Sequence, residues 1–170
     1  AEASLQQIAQ NHPEDISVWL AITDLHKAQG QTTQAALAMQ KAQRLAPDNA
    51  ELLLRTAEAQ LLAGLPVSSY LEMLAELAPQ SMDPALWEKL GASRAEAQQT
   101  QAALDAYLEA TNIPNYTPTA EIATAIGQLF LQLDNLPQAD RWFNAAAESD
   151  ELSALSALFG LLKIHQKNTD

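Results

Sequence analysis

The chain has 170 residues, 48% of them apolar, which is enough for one domain of ordinary size with a real core. Its 9 basic residues stand against 21 acidic ones, a net charge of -12 that repels phosphate backbones and excludes nucleic acid as a partner. It has no cysteine, so disulfides and thiolate metal sites are excluded, and no run approaches the roughly 20 apolar residues of a membrane span. An oxidising compartment suits such a chain, and the cytoplasm stays open as well.

Taken in chain order, apolar positions at helical spacing predict ten helices, over residues 2 to 11, 15 to 29, 32 to 45, 49 to 63, 66 to 77, 83 to 97, 100 to 111, 117 to 133, 136 to 148 and 151 to 167. Pro13, Pro47, Pro79 and Pro114 punctuate them at separations of 34, 32 and 35 residues. Three of these prolines open stretches of one layout: NHPEDISVWL at 11 to 20, APDNAELLL at 46 to 54 and APQSMDPALW at 78 to 87. A recurrence of this length indicates stacked repeats.

Counting from Trp19, Ile22, His26, Gly30, Ala35, Met39, Ala42 and Pro47 fall at +3, +7, +11, +16, +20, +23 and +28. Counting from Trp87 gives Leu90, Gly91, Arg94, Ala103, Tyr107 and Ala110, with Pro114 one residue early. Positions 0, +3, +4 and +7 form one stripe of a helix, which packs the first helix of each unit on the second. Small residues suit +4, +16 and +23, where two helix axes approach closely. Gly30 and Gly64 are placed to take the left-handed conformation that ends a helix, and the prolines stop the second helix.

At these offsets the chain resembles the tetratricopeptide repeat family, whose helix-turn-helix unit is 34 residues long. The resemblance implies an all-α fold, a right-handed superhelical solenoid of about ten helices in a single domain over residues 1 to 170. Its parts are a second helix at 1 to 15, repeats at 16 to 49, 50 to 81, 82 to 115 and 116 to 150, and a terminal helix at 151 to 170. The second repeat carries Leu53, Ala57, Gly64, Leu71, Leu74 and Pro79 and is two residues short. The fourth carries Ile126, Gly127, Phe130, Ala139, Phe143 and Ala146, with Ala123 at the Trp position. In the first helix Ala1, Leu5, Ile8 and Pro13 fall into register. A chain that opens on a second helix and closes on a first is expected to be a piece of a longer protein. Its last helix, with Leu152, Leu155, Leu158, Phe159, Leu161, Leu162 and Ile164, is apolar around most of its circumference, as a helix covered on both sides would be.

Catalysis is not expected. There is no metal-ligand pair of the HExxH type, no glycine-rich phosphate loop and no GxSxG elbow, and no cofactor is called for. His26 sits at a packed position of its repeat, while His12 and His165 are expected in solvent. Trp19 and Trp87 read as core residues, and Trp142 as lying on the outer surface or against the next helix.

Function then rests on surface. In stacked hairpins the first helices line the concave side, at -2, +1, +5 and +8 from the Trp position. Those positions hold Ser17, Leu20, Asp24 and Lys27; Glu51, Leu54, Glu58 and Leu61; Ala85, Glu88, Ala92 and Ala95; and Glu121, Thr124, Gln128 and Leu131. The candidate peptide-binding residues are Leu20, Asp24, Glu51, Leu54, Glu58, Leu61, Glu88, Glu121 and Gln128. Acids beside leucines suit a basic or amphipathic peptide ligand; the alternative is that these acids are simply solvated. The resemblance also brings to mind the family's carboxylate clamp for acidic chaperone tails. Its positions here carry Leu20, Asp24, Leu54, Glu58, Glu88 and Ala92, so its charge is reversed and an acidic tail is excluded from this face.

Within the family, NHPEDISVWLAITDLHKAQGQ at 11 to 31 and LAPDNAELLLRTAEA at 45 to 59 are similar to the repeat domains of bacterial cytochrome c maturation proteins. That likeness implies a periplasmic chaperone that holds apocytochrome c by its C-terminal helix. The run NIPNYTPTAEI at 112 to 122 departs from that pattern. The alternatives are a scaffold or assembly factor of a bacterial envelope machine, such as a pilus or a polysaccharide exporter, and a self-association module that uses the apolar last helix.

Overall fold

The computed structural model describes residues 2–148 and 151–167, with the backbone alone for residue 2, residues 151–157 and residue 167. Among the described residues there are ten α-helices and no strand. They are α1 (Glu2–Asn11), α2 (Ile16–Ala28), α3 (Thr32–Leu45), α4 (Ala50–Leu62), α5 (Ser68–Leu77), α6 (Pro84–Glu96), α7 (Thr100–Asn112), α8 (Ala120–Gln132), α9 (Leu136–Ala147) and α10 (Glu151–Lys167), with a 3-10 turn at Pro79–Ser81. Every expected helix is present, and two of them start two or three residues later than expected. Helix α5 begins at Ser68 because Pro66 precedes it and Val67 turns its side chain into the core. Helix α8 begins at Ala120 because Pro118 disfavours helical backbone at the residue before it, and the Thr119 hydroxyl accepts from the Ile122 N–H instead.

The chain forms two compact units, Ala1–Met82 and Asp83–Asp170. In the first, α2 packs on α1 and α3, and α4 on α3 and α5; in the second, α6 pairs with α7, α8 with α7 and α9, and α10 lies against both α8 and α9. Starts and stops of the helices repeat with the sequence. Asp15, Asn49, Asp83 and Thr119, each four residues before a Trp position, accept a hydrogen bond from a backbone N–H of the first turn of their helices. The stops are as regular. The N–H groups of Gln31, Leu65, Gln99 and Asn135 each donate over 2.9 Å to the carbonyls of His26, Gln60, Arg94 and Phe130. These are four Schellman closures in which the intervening residue, Gly30, Gly64, Gln98 or Asp134, has a positive φ.

The small-residue positions are where helices touch. Ala42, Ala57, Ala103, Ala110, Ala139 and Ala146 are all fully buried. A Cβ on Gly91 would stand 2.9 Å from the Tyr107 ring, and one on Gly127 would stand 2.8 Å from the Phe143 ring. Gly160 on α10 meets the Phe143 ring as well. Phe143 is therefore held against the glycine backbones of two different helices, α8 and α10. The stretch from proline to tryptophan is a joint: the Trp19 indole N–H donates to the Pro13 carbonyl over 2.8 Å. Trp87 is buried, but Trp19 is only half-buried, a correction to its placement in the core. In α1 the inward residues are Leu5 and Ala9, and Ile8 is exposed. Leu5 and Ala9 are four residues apart on one helix face, and Ile8 lies off it; Ala1 lies outside the described residues.

Candidate functional site

Six of the nine candidate peptide-binding residues lie in the first unit, on α2 and α4. Glu51 and Glu58 are exposed, and Leu54 and Leu61 are half-buried. Asp24 is exposed and faces Arg55 of the next first helix, Oδ1 to Nη2 3.9 Å, so α2 and α4 are joined there by a weak ion pair. Leu20 is not a free lining residue: it packs on the cluster of Ala36, Met39, Leu52 and Ala59 from α3 and α4.

The second unit holds the other three. Glu121 and Gln128 on α8 are exposed. Glu88 on α6 is half-buried and accepts a hydrogen bond from the Tyr116 hydroxyl, which the segment between α7 and α8 brings over it. Burial first, then the hydrogen bond to Glu88 and its charge, push the Tyr116 hydroxyl well above the ordinary tyrosine range. Four neighbours expected on the same lining are drawn inward. Thr124 is buried, and its hydroxyl has no hydrogen-bond partner among the described residues. Leu131 packs on the cluster around Phe143, and Ala92 and Ala95 pack on that around Tyr107. What stays exposed of the candidate residues is Asp24 on α2, Glu51 and Glu58 beside half-buried Leu54 and Leu61 on α4, and Glu121 and Gln128 on α8, with Lys27 of the same lining exposed on α2.

The histidines are dispersed. His26 is buried with Nδ1 2.6 Å from Gln31 Oε1, while His12 and His165 are exposed. Among the described residues no three His, Cys, Asp or Glu side chains are grouped to hold a metal ion, and no helix is long and apolar enough to cross a membrane.

Two open clefts lie elsewhere, and no candidate residue lines them. One, of about 380 Å³, runs between α1 and α3 over Trp19, Ile22 and His26 of α2. Lys41 borders it, with Nζ 4.2 Å from the centre of the Trp19 ring, a cation–π contact. The other, of about 540 Å³, runs between α7 and α9 over Phe130 of α8, with Arg141 and Trp142 on its wall. Trp142 is thus half-buried, lining this cleft while it packs on two core clusters. In the sequence the signal was faint, since glutamines and single cations at these positions belong to no motif.

No family model matches the chain, and no curated protein sequence matches it. Solved structures do. MamA is similar over 91% of this chain and 92% of its own, at 20% identity and a TM-score of 0.58. YrrB, described as a TPR protein with an unusual peptide-binding site, is similar over 100% of this chain and 95% of its own, at 16% identity and a TM-score of 0.59. A tetratricopeptide repeat protein of Parabacteroides merdae is similar over 89% of this chain and 60% of its own, at 19% identity and a TM-score of 0.61. At such identities the likeness is one of fold. Repeated caps, repeated Schellman closures, buried small residues at the expected offsets and these neighbours together make the fold of this chain that of the tetratricopeptide repeat proteins.

Proposed function

We propose that the chain is a non-catalytic protein-interaction module whose first-helix stripe holds a basic amphipathic peptide. The observation that supports this reading most is on α4, where Leu54 and Leu61 are half-buried beside exposed Glu51 and Glu58. Leucines left partly in water between carboxylates suit a helix that offers leucine or phenylalanine on one face and lysines at its edges. The finer reading names the C-terminal helix of apocytochrome c as that ligand and the periplasm as the place, with the cytoplasm as the alternative. It rests on the likeness of residues 11 to 31 and 45 to 59 to cytochrome c maturation proteins.

Fluorescence anisotropy with a labelled apocytochrome c C-terminal helix tests both levels. Saturable binding is expected, weakening as salt is raised. In the double variant Glu51→Gln, Glu58→Gln it should weaken about threefold to tenfold, since each exposed charge pair contributes little. Equal binding by the double variant would remove the stripe. Absence of binding at high micromolar protein would favour a scaffold or self-association module instead. For that reading Leu158, Phe159 and Leu162 of α10, each more than half exposed, are the surface that suits a folded partner or a second copy.

A further inference from the structure

The two clefts are the same place in two repeats. Each is walled by two successive second helices and floored by the first helix between them. Gln34 and Gln138, His26 and Phe130, and Ala38 and Trp142 are pairs of lining residues 104 positions apart, at matching positions of their repeats. One cleft lies in each compact unit, and their volumes of about 380 and 540 Å³ are within the range of pockets that bury a ligand side chain.

In a chain with 21 acidic residues, neither cleft is lined by a carboxylate, and each is lined by one lysine or arginine, Lys41 or Arg141. Both cations are exposed, and no carboxylate stands within ion-pair distance of either among the described residues. Each cation has a tryptophan in the same cleft, Trp19 or Trp142, and side-chain amides on the walls, among them Gln34 and Gln138. The Trp142 ring accepts an apolar side chain, and the Trp19 ring does so once Lys41, whose Nζ stands 4.2 Å from the ring centre, swings to a ligand carboxylate; amides satisfy the N–H and C=O groups of an extended backbone, and each cation attracts a carboxylate.

We infer that each of these clefts is by itself a binding site for an acidic peptide segment that lays a leucine or phenylalanine on the tryptophan and a carboxylate on the cation, Lys41 in one cleft and Arg141 in the other. The sign is opposite to that of the first-helix stripe, so the two surfaces select different segments.

Panning a phage-displayed library of short random peptides on the whole chain tests the inference. Recovered sequences should be enriched in Asp and Glu beside Leu, Phe or Trp. A synthetic copy of the most frequent one should bind the wild type saturably and the double variant Lys41→Glu, Arg141→Glu about tenfold more weakly, with the Lys41→Gln, Arg141→Gln variant between them. Charge reversal removes the Lys41 contact with the Trp19 ring and adds negative charge to an acidic chain, so binding is compared at a temperature where melting curves show every variant folded, which separates lost binding from lost fold. The variant Glu51→Gln, Glu58→Gln should bind this peptide as the wild type does, which keeps the outcome independent of the stripe. Peptides without acidic enrichment, equal affinity for the charge-reversed variant, or a library that yields no binder would each overturn the inference.

Discussion

Gln98 is a residue in a glycine's place. Gly30 and Gly64 close their helices at φ of 72° and 66°, and Gln98 closes α6 at 60° with the same pair of backbone hydrogen bonds. A side chain in left-handed backbone costs about 1–2 kcal/mol, of which the entropy of a more flexible unfolded chain returns part when glycine is installed. Gln98→Gly should therefore raise the urea midpoint by the equivalent of about 0.5–1 kcal/mol, and Gly30→Ala should lower it by about 1 kcal/mol. If Gln98→Gly lowered the midpoint, the glutamine side chain would have to be making contacts that outweigh the strain. The glycine positions of the first two repeats were readable because left-handed backbone selects for glycine. The same turn in the later repeats was not, since Gln98 and Asp134 adopt it against their preference. Likewise, the tryptophans after Pro13 and Pro79 marked joints, while the indole hydrogen bond from Trp19 to Pro13 depends on a side-chain direction that spacing does not carry.

At the scale of elements, the segment from Ile113 to Thr119 is where the repeat pattern breaks, and it is there that Tyr116 reaches Glu88. Tyr116 keeps its proton more strongly in the folded chain than in the unfolded one, where a tyrosine ionises near pH 10. Its contribution is complete below about pH 10 and is lost as pH rises from there toward the folded value, because the unfolded chain releases the proton first. Tyr107, raised mainly by burial and then by Glu88, Glu121 and Glu96, follows the same sign. In Tyr116→Phe the fall of stability above about pH 10 should be shallower than in the wild type, with a residual slope from Tyr107. Identical alkaline slopes would mean that Tyr116 titrates alike in both states. Helix existence was legible from apolar periodicity, which survives local irregularity. The starts of α5 and α8 shifted because Pro66 and Pro118 act on the residues beside them. Leu20 and Thr124 were assigned to a surface because helical spacing gives a face, whereas what covers that face is decided by neighbours from other repeats.

For the whole molecule, charge is the dominant long-range term. With 21 acids against 9 bases, and with Arg55–Asp24 and the exposed His12–Glu14 both as long as 3.9 Å, folding brings like charges together with little compensation. Raising sodium chloride from about 20 to about 200 mM should lift Tm by about 2–4 °C, as screening shortens the reach of that repulsion. A fall in Tm over this range would show that specific attractions outweigh it. The acidic balance was plain in the composition. The carboxylate-free clefts were not, because they are assembled from glutamines, one cation and one tryptophan on helices a repeat apart, none of which forms a local pattern.

The close seating of rings on glycine backbones carries a spectroscopic consequence. At Gly91 the hydrogen in place of a side chain points at the face of Tyr107, and at Gly127 and Gly160 it points at Phe143. A proton held over an aromatic face is shielded by the ring current, so the α-proton resonances of these three glycines move upfield, away from those of Gly30 and Gly64, which have nothing within 4 Å. Gly91 thereby reports the seam between α6 and α7, Gly127 that between α8 and α9, and Gly160 the seating of α10, each as its own line in a proton spectrum.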